Sequence, residues 1–329
     1  MRGTARIRLP GEADENDIPE AYRADSLLGH WAPVLPPAAA APAIGAVLQE
    51  VILVDLTRSL AAGDLGLSAA GSSAAKGKPV GGGGSGGGET GGTVSSYTSG
   101  AAGGYNVTIQ FKGTWTATLQ NVFKAAADRI STIIVGDVAN VRVKGGTIDD
   151  IQISAELKAI DGAGGVLGQA GPTSLRVGSY LPATAMMEFD VDDASAFHAA
   201  GFFDEIVTHE MLHGIGYGSI WSYKGLSGSN FIGGNAMAEY DKLVDAFQGF
   251  DNGVNALAVP LESGGGAGTM GSHWSEAVFR HELMTGWLDT ASPAPGMVAA
   301  PLSLLTVASM KDLGYVVSSA PPVDAYFLT

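Results

Sequence analysis

From Gly71 to Gly104 the chain reads "GSSAAKGKPVGGGGSGGGETGGTVSSYTSGAAGG", a glycine and serine tract with almost nothing apolar to bury. Such a segment cannot offset the entropy of ordering its backbone by burying side chains, so it divides the sequence into parts that fold separately. We expect a flexible linker over residues 71–104, with a mean span of about 30 Å by random-coil scaling. Its glycines do not recur with aspartates at the period of a calcium-binding β-roll. The expected organisation is a leader over 1–70, this linker, a main domain over 105–317 and a tail over 318–329.

The leader is weakly patterned. Its stretch "QEVILVDLTRSL" suits a short helix or a strand equally. Trp31 to Leu48 carries no charge, yet Pro33, Pro36, Pro37 and Pro42 interrupt it, so no membrane helix is expected there. The basic start "MRGTARIR" runs into the acidic "GEADENDIPE", where a secretory signal would place its apolar segment, and no ordinary signal peptide is read.

Across 329 residues, 46% are hydrophobic, ample for a buried core. A formal charge of −15 argues against nucleic acid, whose phosphates need a basic face. There is no cysteine, which excludes disulfides, thiolate metal sites and cysteine nucleophiles. Any metal must therefore be held by His, Asp or Glu.

Beyond the tract the patterns sharpen. Tyr105, Val107, Ile109 and Phe111 alternate with polar residues as a half-buried strand does, and Leu119, Val122, Phe123, Ala126 and Ile130 recur at helical spacing. "TIIVG" and "IQISAELKAI" are read as further strands, the second with Ile151, Ile153, Ala155 and Leu157 on one face. "AMMEFD" is read as an edge strand, leaving open whether Met187 and Phe189 face the core or a substrate. "FFDEIVTHEMLHGIG" fits a helix with Phe203, Ile206 and Val207 at turn spacing and glycine at its end. A last helix follows Ser303 as its cap, carries Leu304, Val307 and Ala308, and stops at Gly314. The order of strands and helices predicts an α+β fold, a twisted sheet backed by helices.

"VTHEMLHGIGYG" carries the chemistry. Residues four apart on a helix share a face, so His209 and His213 can aim two imidazoles at one point, with Glu210 beside them. Zinc suits imidazole nitrogen, and with three protein ligands it keeps an open position for water, whose pKa it lowers to about 7. Glu210 is placed to take that water's proton. A third ligand is required, and His198, His273, His281 and Glu239 are the candidates; His30 lies in the leader.

"HEMLHGIGYGSIW", followed downstream by "SHWSEAVFRHELMTGW", resembles the leishmanolysin family of metzincin zinc peptidases. "YNVTIQFKGTWTATLQNVF", "GVLGQAGPT", "FIGGNAMAEY", "VPLESGGGAGT" and "LTVASMKDLGY" resemble bacterial sequences of that kind, so the likeness runs from Tyr105 to Val317. It implies a zincin-like (metzincin) catalytic domain, its upper half, 105–216, holding the sheet and active-site helix and its lower half, 217–317, irregular with a methionine turn and a C-terminal helix. It assigns His273 as the third metal ligand, Gly216 to the turn after the helix and Met284 to the methionine turn. The implied activity is zinc-dependent endopeptidase cleavage of protein or peptide substrates, with Glu210 as base. The alternative is a zinc-containing binding or adhesion protein on the same fold.

The chain departs from the protozoan members, which are disulfide-rich, lipid-anchored and kept latent by a propeptide cysteine. Without cysteine that switch is impossible, and a leader that inhibits must act through a carboxylate or by steric cover. Family members mostly work outside the cell, so secretion is expected, with a cytoplasmic protein as the alternative. The terminal "VDAYFLT" faintly resembles C-terminal export signals.

Asp190, Asp192 and Asp193 form a possible calcium cluster, although their spacing is not that of an EF-hand. Trp274 is read as core or cleft wall, His198 as partly buried near the start of the active helix, and His281 and Glu282 as groups at the surface or behind the ligands.

Overall fold

The alternation that begins at Tyr105 becomes a strand, β4 (Val107–Gly113), in which Val107, Ile109 and Phe111 are buried. Helix α1 (Ala117–Ile133) follows, capped by the Thr116 side chain, and buries Leu119, Val122, Phe123, Ala126 and Ile130 as spaced. The computed structural model describes residues 92–143, 146–160, 168–251, 253–254, 256–264, 268–287 and 298–329, with the backbone of 51–53 and 59–60. The remaining elements, in chain order and counting the earlier ones, are β1 (Val51–Leu53), β2 (Ser59–Leu60), β3 (Ser96–Thr98), β5 (Val141–Val143), β6 (Gly146–Ile148), β7 (Ile151–Lys158), β8 (Gly168–Arg176) and β9 (Pro182–Asp190). Then come α2 (Val191–Ala200), α3 (Phe203–Gly214), β10 (Asn230–Phe231), α4 (Gly234–Gln248), β11 (Val259–Pro260), α5 (Glu276–Phe279) and α6 (Leu304–Asp312).

The main sheet is mixed, in the order β1-β8-β9-β7-β4-β3, with β2 also on β8. β4, β7 and β9 run parallel, while β3 and β8 flank them antiparallel. The fold is therefore α plus β around a mixed sheet, as expected at that level. One hydrophobic cluster runs from Tyr105 to Tyr315 and joins the segments on either side of residue 216. At its centre Phe123 meets Phe111, Trp115, Phe189 and Phe203 edge to face, each such pair stabilising by about 0.5–1.5 kcal/mol beyond its buried area.

Four expectations need correction. "TIIVG" is not a strand: α1 continues through Ile133, because its buried face recurs to that residue, and only Ile134 forms an isolated bridge, to Val317. "AMMEFD" is not at an edge, since β9 lies between β7 and β8. Alternation reports which face is buried and says nothing of which edge is paired. Met187 and Phe189 are both fully buried and so belong to the core.

The third correction concerns the tract. Its end, described from residue 92, supplies β3 on the outer edge of β4, where Ser96, Tyr97 and Thr98 pair with Gln110, Ile109 and Thr108. Backbone bonds need no apolar side chain, and polar groups complete them. Gln120 bonds both the N–H and the carbonyl of Val94, at 2.9 and 2.7 Å, and Asn106 Nδ2 donates to the Ser99 carbonyl at 2.6 Å. Gly100 is required here: its φ is +74°, and a Cβ would stand 2.6 Å from the Tyr105 carbonyl oxygen.

The fourth concerns calcium. Asp190 is fully buried and caps α2, one carboxylate oxygen accepting from Asp192 N at 2.9 Å and the other from Ile160 N at 2.7 Å. Among the described residues, the three aspartates do not gather their oxygens as a metal-capable group. A carboxylate committed to capping is not free to converge with its neighbours.

In the leader, β1 and β2 run antiparallel along the outer edge of β8, pairing Val51–Leu53 with Arg176–Ser174 and Ser59–Leu60 with Gln169–Gly168. Part of "QEVILVDLTRSL" is thus strand. Trp31 to Leu48, the N-terminal basic and acidic runs and most of the tract lie outside the described residues. Among the described residues, no helix is long and apolar enough to cross a membrane. The tail is tied to the body: Asp324 pairs with Arg129 at 2.7 Å and exchanges backbone and side-chain bonds with Leu302, and Tyr326 donates to the Phe279 carbonyl at 2.8 Å.

Candidate metal centre

The centre is built around α3, which enters after the left-handed turn at Gly201 and lies on the sheet with Phe203, Ile206 and Val207 buried. Gly214 lets it sit close, since a Cβ there would be 3.4 Å from that of Ala185 on β9. The helix ends in a Schellman motif: Gly216 N donates to the His213 carbonyl at 3.1 Å and Tyr217 N to the Leu212 carbonyl at 2.9 Å. Gly216 has φ +118°, and a Cβ would press on Ile220 at 2.8 Å. The turn expected of Gly216 is there, and its second effect is to bring the Tyr217 carbonyl back over the helix.

His209, His213 and His273 converge, with exposures of 3%, 4% and 1%. Their Nε2 atoms form a triangle with sides of 3.0, 3.1 and 2.9 Å. His198, His281 and Glu239 lie outside this group, so among the open candidates the fold selects His273.

The opposite ring nitrogens explain the arrangement. His209 Nδ1 donates to the Leu283 carbonyl at 2.8 Å, His213 Nδ1 to the Tyr217 carbonyl at 2.9 Å and His273 Nδ1 to the Thr269 carbonyl at 3.1 Å. A carbonyl oxygen only accepts, so each Nδ1 carries the proton and each neutral ring presents a bare Nε2. Burial holds His209 in that neutral form, pushing its pKa down to about 4 against the opposing effect of the hydrogen bond it donates to the Leu283 carbonyl. Three lone pairs about 3 Å apart repel one another unless a cation lies between them, and a triangle of this size lets all three nitrogens stand about 2 Å from a common point, the metal–imidazole bond length. The residues fit a metal ion, and imidazole donors suit zinc, copper, iron or nickel.

The third histidine arrives on a distant segment held by three contacts. Trp274 N donates to the Met284 carbonyl at 3.0 Å, Glu262 N to the His273 carbonyl at 3.0 Å, and Tyr217 Oη to the Met284 carbonyl at 3.4 Å. Met284 is fully buried, and the turn containing it supplies the Leu283 carbonyl to His209. Trp274 is core, stacked on Trp221 and edge-on to Tyr217, whose ring meets that of His213. Glu210 is 1% exposed and follows His209 directly on α3.

Two residues that residue spacing does not single out shape the centre. Gly218, with φ +66°, lets the Ser272 backbone come in beside His273, and Gly286 makes room for Thr269, whose methyl would stand 2.2 Å from a Cβ there. The glycines are visible in "GIGYG" and "MTG", but their partners are not. The supporting carbonyls of Leu283, Tyr217 and Thr269 have no signature at all, because every residue has a carbonyl. A second acidic cluster, Asp137, Asp149 and Asp150, gathers oxygens near β6 without sharing any residue with the histidines. The chain matches no protein-family model, and no curated protein matches it significantly.

Proposed function

We propose that the protein is a zinc-dependent endopeptidase of the metzincin type, acting on protein or peptide substrates. The observation that carries this reading is the triad of buried imidazoles with all three Nδ1 protons committed to carbonyls, next to Glu210 on the same helix. The resemblance of "HEMLHGIG" and "HELMTG" to leishmanolysin-like peptidases supplies the reaction class. When bound, zinc supplies Lewis acidity toward a scissile carbonyl and lowers the pKa of water at the site. His209, His213 and His273 hold the ion and stay neutral to do so. Glu210 accepts a proton from the attacking water and delivers it to the leaving amine. Gly216, through its turn, and Met284, through its carbonyl and that of Leu283, keep the ligands oriented. Work outside the cell belongs to the same reading and rests on the resemblance, which itself runs from Tyr105 to Val317.

A second reading, a metal held only for structure in a binding protein, is favoured by the deep burial of the ligands. Glu210 separates the two, because a structural site has no use for a base and closes with four ligands. Glu210→Gln is expected to keep one zinc per chain while cleavage of denatured casein falls by about 100-fold or more, the usual range for losing a general base. Cleavage at the parent rate would sink the peptidase mechanism.

A further inference from the structure

Glu282 is 1% exposed, and every group bonded to its carboxylate is a donor. Oε1 accepts from Ser303 N at 3.1 Å, Ser303 Oγ at 2.6 Å and Thr306 Oγ1 at 2.6 Å, and Oε2 accepts from Met284 N at 2.6 Å. Ser303 N and Met284 N can only donate, so each of the two carboxyl oxygens must accept, although burial pushes the Glu282 pKa above the usual carboxylate range.

Two of these bonds lead to the metal centre. Met284 N belongs to the same peptide unit as the Leu283 carbonyl that accepts from His209 Nδ1, so the carboxylate fixes the orientation of that peptide. Thr306 Oγ1, having given its own proton to Glu282, has its lone pairs free for Trp274 Nε1, which donates to it at 2.9 Å. Trp274 follows His273 directly. We infer that Glu282 is a positioning residue for the metal centre, a hub that ties α6 to the supports of His209 and His273 and thereby sets the metal affinity. This rests on the reading of the three histidines as metal ligands.

Glutamine in its place is isosteric but brings an amide donor. With the oxygen kept on the three-donor side, the NH2 group faces Met284 N–H and the turn must move. Losing a partner of this kind behind a ligand typically lowers metal affinity 10–100-fold. The test uses the full chain with zinc alone, its dissociation constant read by competition with a chromophoric chelator, and with cobalt(II), whose visible spectrum reports ligand geometry. Glu282→Gln should bind zinc at least 10-fold more weakly and shift the cobalt bands. Gln120→Ala, which removes a buried amide bonded to Val94 and to none of the ligand supports, should lose stability with zinc affinity unchanged. Zinc affinity of Glu282→Gln within twofold of the parent and an unaltered cobalt spectrum would overturn the inference. So would equal weakening by Gln120→Ala, because the effect would then be general destabilisation. If Glu282→Gln does not fold, Thr306→Val decides, since it cuts the Trp274 link and keeps the Met284 bond: weaker zinc supports the hub, unchanged zinc overturns it. A parent chain that binds no zinc removes the metal reading itself, an outcome distinct from a parent and variant that bind it equally.

Discussion

Gly218 and Ser272 touch backbone to backbone, so closely that a Cβ on Gly218 would stand 2.2 Å from the Ser272 carbonyl oxygen. This contact joins the exit of the helix carrying His209 and His213 to the residue before His273. Gly218→Ala meets both a left-handed φ of +66° and rigid backbone, so no side chain can rotate away to relieve it. The expected cost is more than about 2 kcal/mol, and the metal should be lost with it because His273 is displaced. Thermal unfolding and zinc content check both, and a variant with full zinc would show that the two segments tolerate separation.

His273→Ala should abolish stoichiometric zinc binding, whereas His281→Ala should leave it intact. Among the described residues, only His273 brings its Nε2 to those of His209 and His213, at 3.1 and 2.9 Å. Atomic absorption on the purified variants decides, and the reverse pattern would contradict the ligand set.

The pH dependence of stability should carry a contribution from Asp150. Burial pushes its carboxyl up from 3.8 to about 6, against the bonds it accepts from Asn106 N at 2.7 Å and Val138 N at 2.6 Å. The folded state keeps a proton that the unfolded chain releases in that window. The contribution is therefore greatest below pH 3.8, falls as pH rises, and levels off above about 6. Asp150→Asn should remove this slope and, by turning an amide donor toward a backbone N–H, cost about 1–3 kcal/mol at neutral pH. Melting temperatures of parent and variant across the window test it; identical slopes would refute the assignment.

Deleting residues 321–329 should destabilise the protein by roughly 2 kcal/mol, mostly through lost apolar contact of Val323, Tyr326 and Leu328 with the core. The Arg129–Asp324 pair, with both side chains about a third exposed, adds less than about 1 kcal/mol. An unchanged unfolding curve would show that the tail's bonds are incidental.

Periodic elements were legible one at a time. The spacing of Leu119, Val122, Phe123, Ala126 and Ile130 implies α1, the alternation from Ile151 to Leu157 implies β7, and Ser303 with Gly314 marks the ends of the last helix. Each pattern is local and is set by 3.6-residue or two-residue geometry. β3 was hidden, because backbone pairing and a few polar bonds order it where side chains offer no apolar signal. The interior place of β9 was hidden too, because an alternating strand looks the same at an edge and between two neighbours.

The metal centre divides along the same line. The sequence by itself determined that His209 and His213 share a helix face with Glu210 beside them, that no thiolate can join them, and that a glycine stands where the helix must turn. Only the tertiary structure decided, among the histidines and carboxylates left open by residue spacing, that His273 closes the triangle, that the carbonyls of Leu283, Tyr217 and Thr269 set the tautomers, and that Glu282 lies buried behind them. The physical reason is distance along the chain: a helix places its own residues by local geometry, whereas a ligand sixty residues away in sequence is placed by the packing of two segments, here the approach of Ser272 to a glycine with no side chain in the way.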